Sequence, residues 1–134
     1  MKLKELFEIA VNPVALTAQY IKHVNHDNLS QHMFGASFDK ICSEAGNCSI
    51  ISNHFHKWLN DKDVKSRVVV GIHAKDPSWS KNINAAPGSY EDAHTVVLIG
   101  NTIVDFTAKQ FDKSFLLPRI IPFSKFKTEW TSIK

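Results

Sequence analysis

Three side chains in this sequence have the types and settings needed for nucleophilic chemistry. Cys48 follows Gly46-Asn47 and begins CSIISNHFHKWLNDK, where Cys48, Ile51, Ser52, Phe55, Trp58 and Leu59 fall on one helical stripe. A thiol attacks a carbonyl only as the thiolate. The N-terminus of a helix favours that anion, because its unpaired N–H groups carry partial positive charge. Asn47 is the expected cap, so Cys48 is expected in the first turn, on the core-facing side.

The other two are His94 and Asp105, which flank a hairpin. Thr95-Val96-Val97-Leu98-Ile99 and Thr102-Ile103-Val104-Asp105-Phe106 are β-branched runs separated by Gly100-Asn101, the strongest β signal in the chain. That loop sets Ile99 opposite Thr102, Val96 opposite Asp105 and His94 opposite Thr107. His94 shares its parity with Val96, so His94 and Asp105 leave the same face as diagonal neighbours, about 7–8 Å apart at the backbone. A carboxylate can bridge that gap to one imidazole nitrogen, fix the tautomer and leave the other nitrogen for a thiol proton. A slip of one residue would send the two side chains to opposite faces. An acid within Ile-Val-Asp-Phe is also a poor choice for a half-buried strand unless it has a partner.

The elements that must hold these groups read as helices first and an antiparallel sheet afterwards, an α+β arrangement. Leu3, Leu6, Phe7 and Ala10 suggest a helix over residues 2–10, and Asn12-Pro13 caps a second that runs to about Asn25. Residues 26–46 are rich in Asn, Asp, Ser and Gly and read as a loop with one helical turn, anchored by Phe34 and Phe38. After the Asn60–Asp63 turn, Arg67–His73 reads as a strand and residues 74–92 as a loop. The tail with Pro118, Pro122, Phe126 and Trp130 reads as extended packing over the sheet. No linker interrupts the chain, so a single domain over 1–134 is expected.

Composition narrows the function classes. The 134 residues carry a net charge of +3, and the densest basic stretch, Lys125-Phe126-Lys127, is too thin for a nucleic-acid footprint. The N-terminus lacks a secretory h-region and no window approaches ~20 apolar residues, so a soluble, cytoplasmic protein of bacterial or viral origin is expected, with no membrane partner. Cys42 and Cys48 are too few for a disulfide framework, and Cys42 reads as a packed thiol. Zinc is not expected, because Cys42, Cys48, His54 and His56 lack the tight pair spacing of structural zinc sites.

Gly46-Asn47-Cys48-Ser49-Ile50-Ile51-Ser52 opening a helix resembles the nucleophile segment of the papain-like and transglutaminase-like thiol enzymes. His94-Thr95-Val96-Val97-Leu98-Ile99-Gly100-Asn101 and the D-x-T-A-x-Q-F run from Asp105 to Phe111 are similar to their histidine strand and acid strand, in the same Cys-His-Asp order. The resemblance covers residues 46–111, with an echo in Pro118–Pro122. It implies a central helix beginning at the catalytic Cys48 and packed on a small antiparallel sheet. It further implies thiol-based acyl transfer at a carboxamide, a peptide bond or a glutamine side chain, in a protein or peptide substrate and without a cofactor. His94 would be the base and Asp105 its orienting acid. Papain-like enzymes carry an oxyanion-hole glutamine before the cysteine, where this chain has Ile41-Cys42-Ser43-Glu44-Ala45. The remaining donors are the Cys48 backbone N–H and the side chains of Asn47 or Gln31. Trp79 and Tyr90, in the loop before His94, are candidates for the substrate cleft. A non-catalytic protein-binding module with the same fold is the alternative.

Overall fold

The protein is described by a computed structural model, which covers residues 12–44, 46–79 and 93–134. The helix expected over 2–10, residue Tyr90 and most of the 74–92 loop lie outside the described residues. The chain begins with helix α1 (Pro13–Asn25), capped by Asn12, whose side-chain oxygen accepts from the N–H groups of Val14 and Ala15. Asp27 and Asn28 follow in the left-handed region at φ 51° and 57°, which these residue types tolerate, and the chain turns there. Short helices α2 (Leu29–Phe34) and α3 (Phe38–Ser43) come next, ahead of the long helix α4 (Cys48–Asp61). Residues 26–46 are thus more helical than their polar composition suggests. Phe38, Ile41 and Cys42 are buried, and tertiary packing supplies the stability that so short a helix lacks alone.

The sheet contains β1 (Arg67–Ala74), β2 (Ala93–Ile99), β3 (Thr102–Asp105), β4 (Arg119–Pro122) and β5 (Trp130–Ile133). Their order is β4-β3-β2-β1-β5, and every neighbouring pair is antiparallel. The tail therefore departs from the expected extended packing. It supplies both edge strands, joined by helix α5 (Phe123–Glu129). Among the described residues, no helix is long and apolar enough to cross a membrane.

The β2–β3 hairpin has the expected register, with Ile99 opposite Thr102, Leu98 opposite Ile103 and Val97 opposite Val104. Gly100 takes φ 59° while Asn101 stays at negative φ, the pattern of a type II′ turn. Period-two alternation then divides the strands between two apolar layers. Val97, Ile99 and Val104 pack with Tyr20, Ile51, Phe55 and Leu59 beneath the helices. Val69, Val96 and Ile103 pack with Phe126 and Trp130 on the opposite face. Gly71 in interior strand β1 makes room for Trp130, because a Cβ there would sit 2.5 Å from the indole Cγ and Cδ2.

Candidate active site

The apolar stripe of α4 turns Cys48, Ile51, Ser52, Phe55 and Leu59 inward, as its spacing requires, while Trp58 is half-buried. Cys48 is the first residue of that helix and only 5% exposed. One turn further on, Ser52 Oγ donates to the Thr95 carbonyl at 3.0 Å, which fastens the start of α4 to β2 beside His94. The imidazole of His94 and the side chain of Cys48 lie close enough to interact, and that interaction favours the ring's cation. Helix start and hairpin therefore meet through these two residues.

His94 is 1% exposed and held on several sides. Its Nε2 lies 2.7 Å from Asp105 Oδ2, and Asp105 Oδ1 accepts from the Thr107 backbone N–H at 3.0 Å. The carboxylate is thus oriented by the turn that ends β3. Trp130 stacks on the imidazole at 5.6 Å between centroids, and Phe111 meets it edge-on at 4.7 Å. Trp79 packs against both Phe111 and Trp130. Burial alone would disfavour the charged ring. The Asp105 carboxylate, its hydrogen bond and the Cys48 side chain outweigh that penalty and raise the His94 pKa from 6.5 to about 9. At neutral pH the ring carries two protons, one on each nitrogen. An imidazolium beside a thiol at the start of a helix is a setting that favours the thiolate.

Cys48, His94 and Asp105 are therefore brought together, and the other candidates are placed as follows. Asn47 occupies the position before α4 but has helical dihedrals (φ −93°, ψ −1°), so its side chain does not reach back over the first turn and makes no capping bond. Its Nδ2 instead donates to the Ile41 carbonyl at 3.1 Å, which corrects the expectation that Asn47 caps α4 and commits one of its amide protons away from an oxyanion. Gln31 is exposed on α2 and donates to the Gly35 carbonyl at its own helix end. Trp79 is a half-buried member of the aromatic group over His94. Cys42 is buried, and burial, with Asp39 and Asp105 nearby, pushes its thiol up to about 12, so it stays protonated.

Gln110, Thr107, Phe111 and Trp130 carried no assigned role in the sequence. Gln110 Nε2 lies 3.1 Å from His94 Nδ1 and 3.3 Å from Thr107 Oγ1. The spacing in D-x-T-A-x-Q-F was the available signal, since a 3₁₀ turn over Ala108–Gln110 folds the glutamine back onto the histidine. The remaining histidines of α4 have structural partners. His54 Nδ1 lies 2.7 Å from the Tyr20 hydroxyl, and burial lowers its pKa. His56 Nδ1 lies 2.6 Å from Ser66 Oγ. Among the described residues, no group of His, Cys, Asp and Glu is arranged to hold a metal ion. Compared with known proteins, the chain matches no protein-family model, no curated protein and no solved structure.

Proposed function

We propose that the chain is a thiol-dependent hydrolase or acyl transferase acting on a carboxamide, either a peptide bond or a glutamine side chain, in a protein or peptide substrate. The observation that supports this most directly is the buried imidazole between two functional groups: Asp105 Oδ2 at 2.7 Å from Nε2, and the thiol that begins α4.

In this reading the Cys48 thiolate attacks the carbonyl carbon, and the developing oxyanion is met by the positive end of α4, including the Cys48 N–H. The His94 imidazolium gives its Nδ1 proton to the departing nitrogen, which leaves as ammonia or an amine while an S-acyl cysteine forms. Neutral His94 then takes a proton from water or from an acceptor amine as that molecule attacks the thioester, and collapse of the adduct expels the Cys48 thiolate as the acid or new amide leaves, which restores the starting thiolate and imidazolium. Asp105 holds the ring in one tautomer and stabilises its cation throughout. The atoms balance without a redox partner or organic cofactor.

The test is the rate of iodoacetamide labelling of Cys48 against pH, in the native protein and in His94→Ala. A thiol that is fast at pH 6–7 and slows to ordinary thiol behaviour in the variant is expected. Ordinary behaviour in both proteins would overturn the assignment. With reactivity established, ammonia release compared with new amine termini on glutamine-containing peptides separates deamidase from peptidase.

A second reading, a protein-binding module of the same architecture, is favoured by one specific observation. Cys48 and His94 are almost fully covered, and the Asn47 amide is partly engaged by Ile41. A thiol that labels only after unfolding would select it.

A further inference from the structure

His94 is held at both nitrogens. Asp105 takes Nε2. At Nδ1 the neighbour is the amide of Gln110, 3.1 Å away, whose same terminal atom is 3.3 Å from Thr107 Oγ1. The other terminal atom of that amide, Oε1, is buried and has no hydrogen-bond partner among the described residues.

The two ends of a glutamine amide differ in chemistry but hardly in shape, so their assignment follows from the hydrogen bonds each can make. An amide NH₂ can face Nδ1 only while that nitrogen is a lone pair, as in the neutral ring. Once Nδ1 carries a proton, two donors would oppose each other. Turning the amide over then presents the carbonyl oxygen, which accepts from Nδ1–H, and the Thr107 hydroxyl, donor or acceptor at need, serves either orientation. Nδ1 is also the nitrogen left for Cys48, since the carboxylate occupies Nε2. The glutamine and the sulfur therefore share one proton position.

We propose that Gln110 is a positioning residue whose amide carbonyl accepts from Nδ1–H of the His94 cation, helping to hold the protonated ring ready beside Cys48. This deepens the thiol-enzyme reading and rests on it for its catalytic meaning, but the contact itself is independent of turnover. The groups facing the ring are Asp105 from β3, Cys48 from α4, and the uncharged Trp130 and Phe111 from β5 and the turn after β3. Behind Asp105 lie the Cys42 thiol of α3 and Arg119 of β4, the latter committed to Glu129 at 2.6–2.7 Å. Among these described residues the Cys48 sulfur alone could also accept at Nδ1, which is why the titration is repeated in Cys48→Ala.

The experiment compares Gln110→Met, which keeps the length but removes the acceptor, with Gln110→Glu, which keeps an acceptor and adds charge. The His94 ring ¹⁵N shifts are titrated by NMR in the full chain, in both wild-type and Cys48→Ala backgrounds. The His94 midpoint is expected to fall by about one pH unit in Gln110→Met and to rise in Gln110→Glu. The iodoacetamide profile of Cys48 should move in the same two directions. A residue with a merely structural role would shift neither midpoint, or both alike, and either result overturns the proposal. Because the titration in Cys48→Ala requires no reactive thiol, an unreactive Cys48 with an intact His94 response would sink the enzyme reading alone.

Discussion

Ser52 Oγ donates to the carbonyl of Thr95 at 3.0 Å, and this bond joins the helix that begins at Cys48 to the strand that carries His94. Ser52 lies one turn beyond Cys48, and Thr95 adjoins His94, so small changes here propagate directly to the sulfur–imidazole contact. Ser52→Ala leaves a part-buried carbonyl one donor short and should cost about 1 kcal/mol, measured by urea unfolding. The same variant should slow Cys48 labelling at pH 7 severalfold. Ser52→Thr, which keeps the hydroxyl, should recover much of that loss.

The His94–Asp105 pair makes a pH-dependent contribution to stability. The unfolded ring titrates near 6.5, whereas the folded ring titrates at about 9, so the folded state binds the proton more tightly. That contribution is complete below pH 6.5 and is lost as the pH rises through 9. Thermal unfolding of the wild-type protein should therefore show Tm declining across pH 6.5–9 from this group. Asp105→Asn keeps the shape but removes the charge, and should flatten that decline while lowering Tm at pH 6. An equal pH 6.5–9 slope in both proteins would show that the pair is not the source.

These contacts differ in how readable they were from sequence, and the difference follows the range of the interaction. His94 and Asp105 belong to one hairpin, where a two-residue turn fixes register and parity fixes the face, so their meeting was legible. The buried stripe of α4 was legible for the same local reason. The edge strands were not: β5 pairs with β1 across almost the whole sheet-forming sequence, and no local pattern encodes that partner. Helices α2 and α3 were hidden because six-residue segments owe their order to packing. The misread cap at Asn47 has a distinct cause. Ile41 O competed for its side chain, and only tertiary structure decides such a competition. Gln110 was visible within its motif, but its role depends on a 3₁₀ turn whose direction the letters do not give.

Gly71 and Trp130 form a space-filling pair on the side of the sheet that bears His94. A Cβ at position 71 would lie 2.5 Å from the indole, too close for any side-chain adjustment that leaves Trp130 stacked on the imidazole. Gly71→Ala should cost about 1–3 kcal/mol by overpacking, and Trp130→Ala about 3–5 kcal/mol by cavity formation. Because both act on the same space, Gly71→Ala combined with Trp130→Ala should be less destabilising than the sum of the two single changes. A double-mutant cycle in urea measures this, and strict additivity would mean that the two residues do not share that space.

The two cysteines of this chain should behave as opposites, although both are buried. Cys42 sits on the buried face of α3 among Phe38, Ile41 and Phe106, and its environment holds it as a thiol: burial is the main cause, and the carboxylates of Asp39 and Asp105 add to it, taking it up to about 12. The Asp105 carboxylate thus disfavours a thiolate at Cys42 while stabilising the cation on His94 that faces Cys48. One acid acts in opposite senses on two sulfurs because an imidazole stands between it and only one of them. Stoichiometric alkylation at pH 7 should therefore modify one thiol in the native protein and two in guanidinium, as read by intact mass. Cys42→Ala should retain the single native adduct, and Cys48→Ala should lose it. Mild peroxide should likewise oxidise Cys48 without forming a Cys42–Cys48 disulfide, since resolution by Cys42 would require a thiolate its surroundings suppress. Native modification at Cys42, or a disulfide formed at neutral pH, would contradict this division of roles.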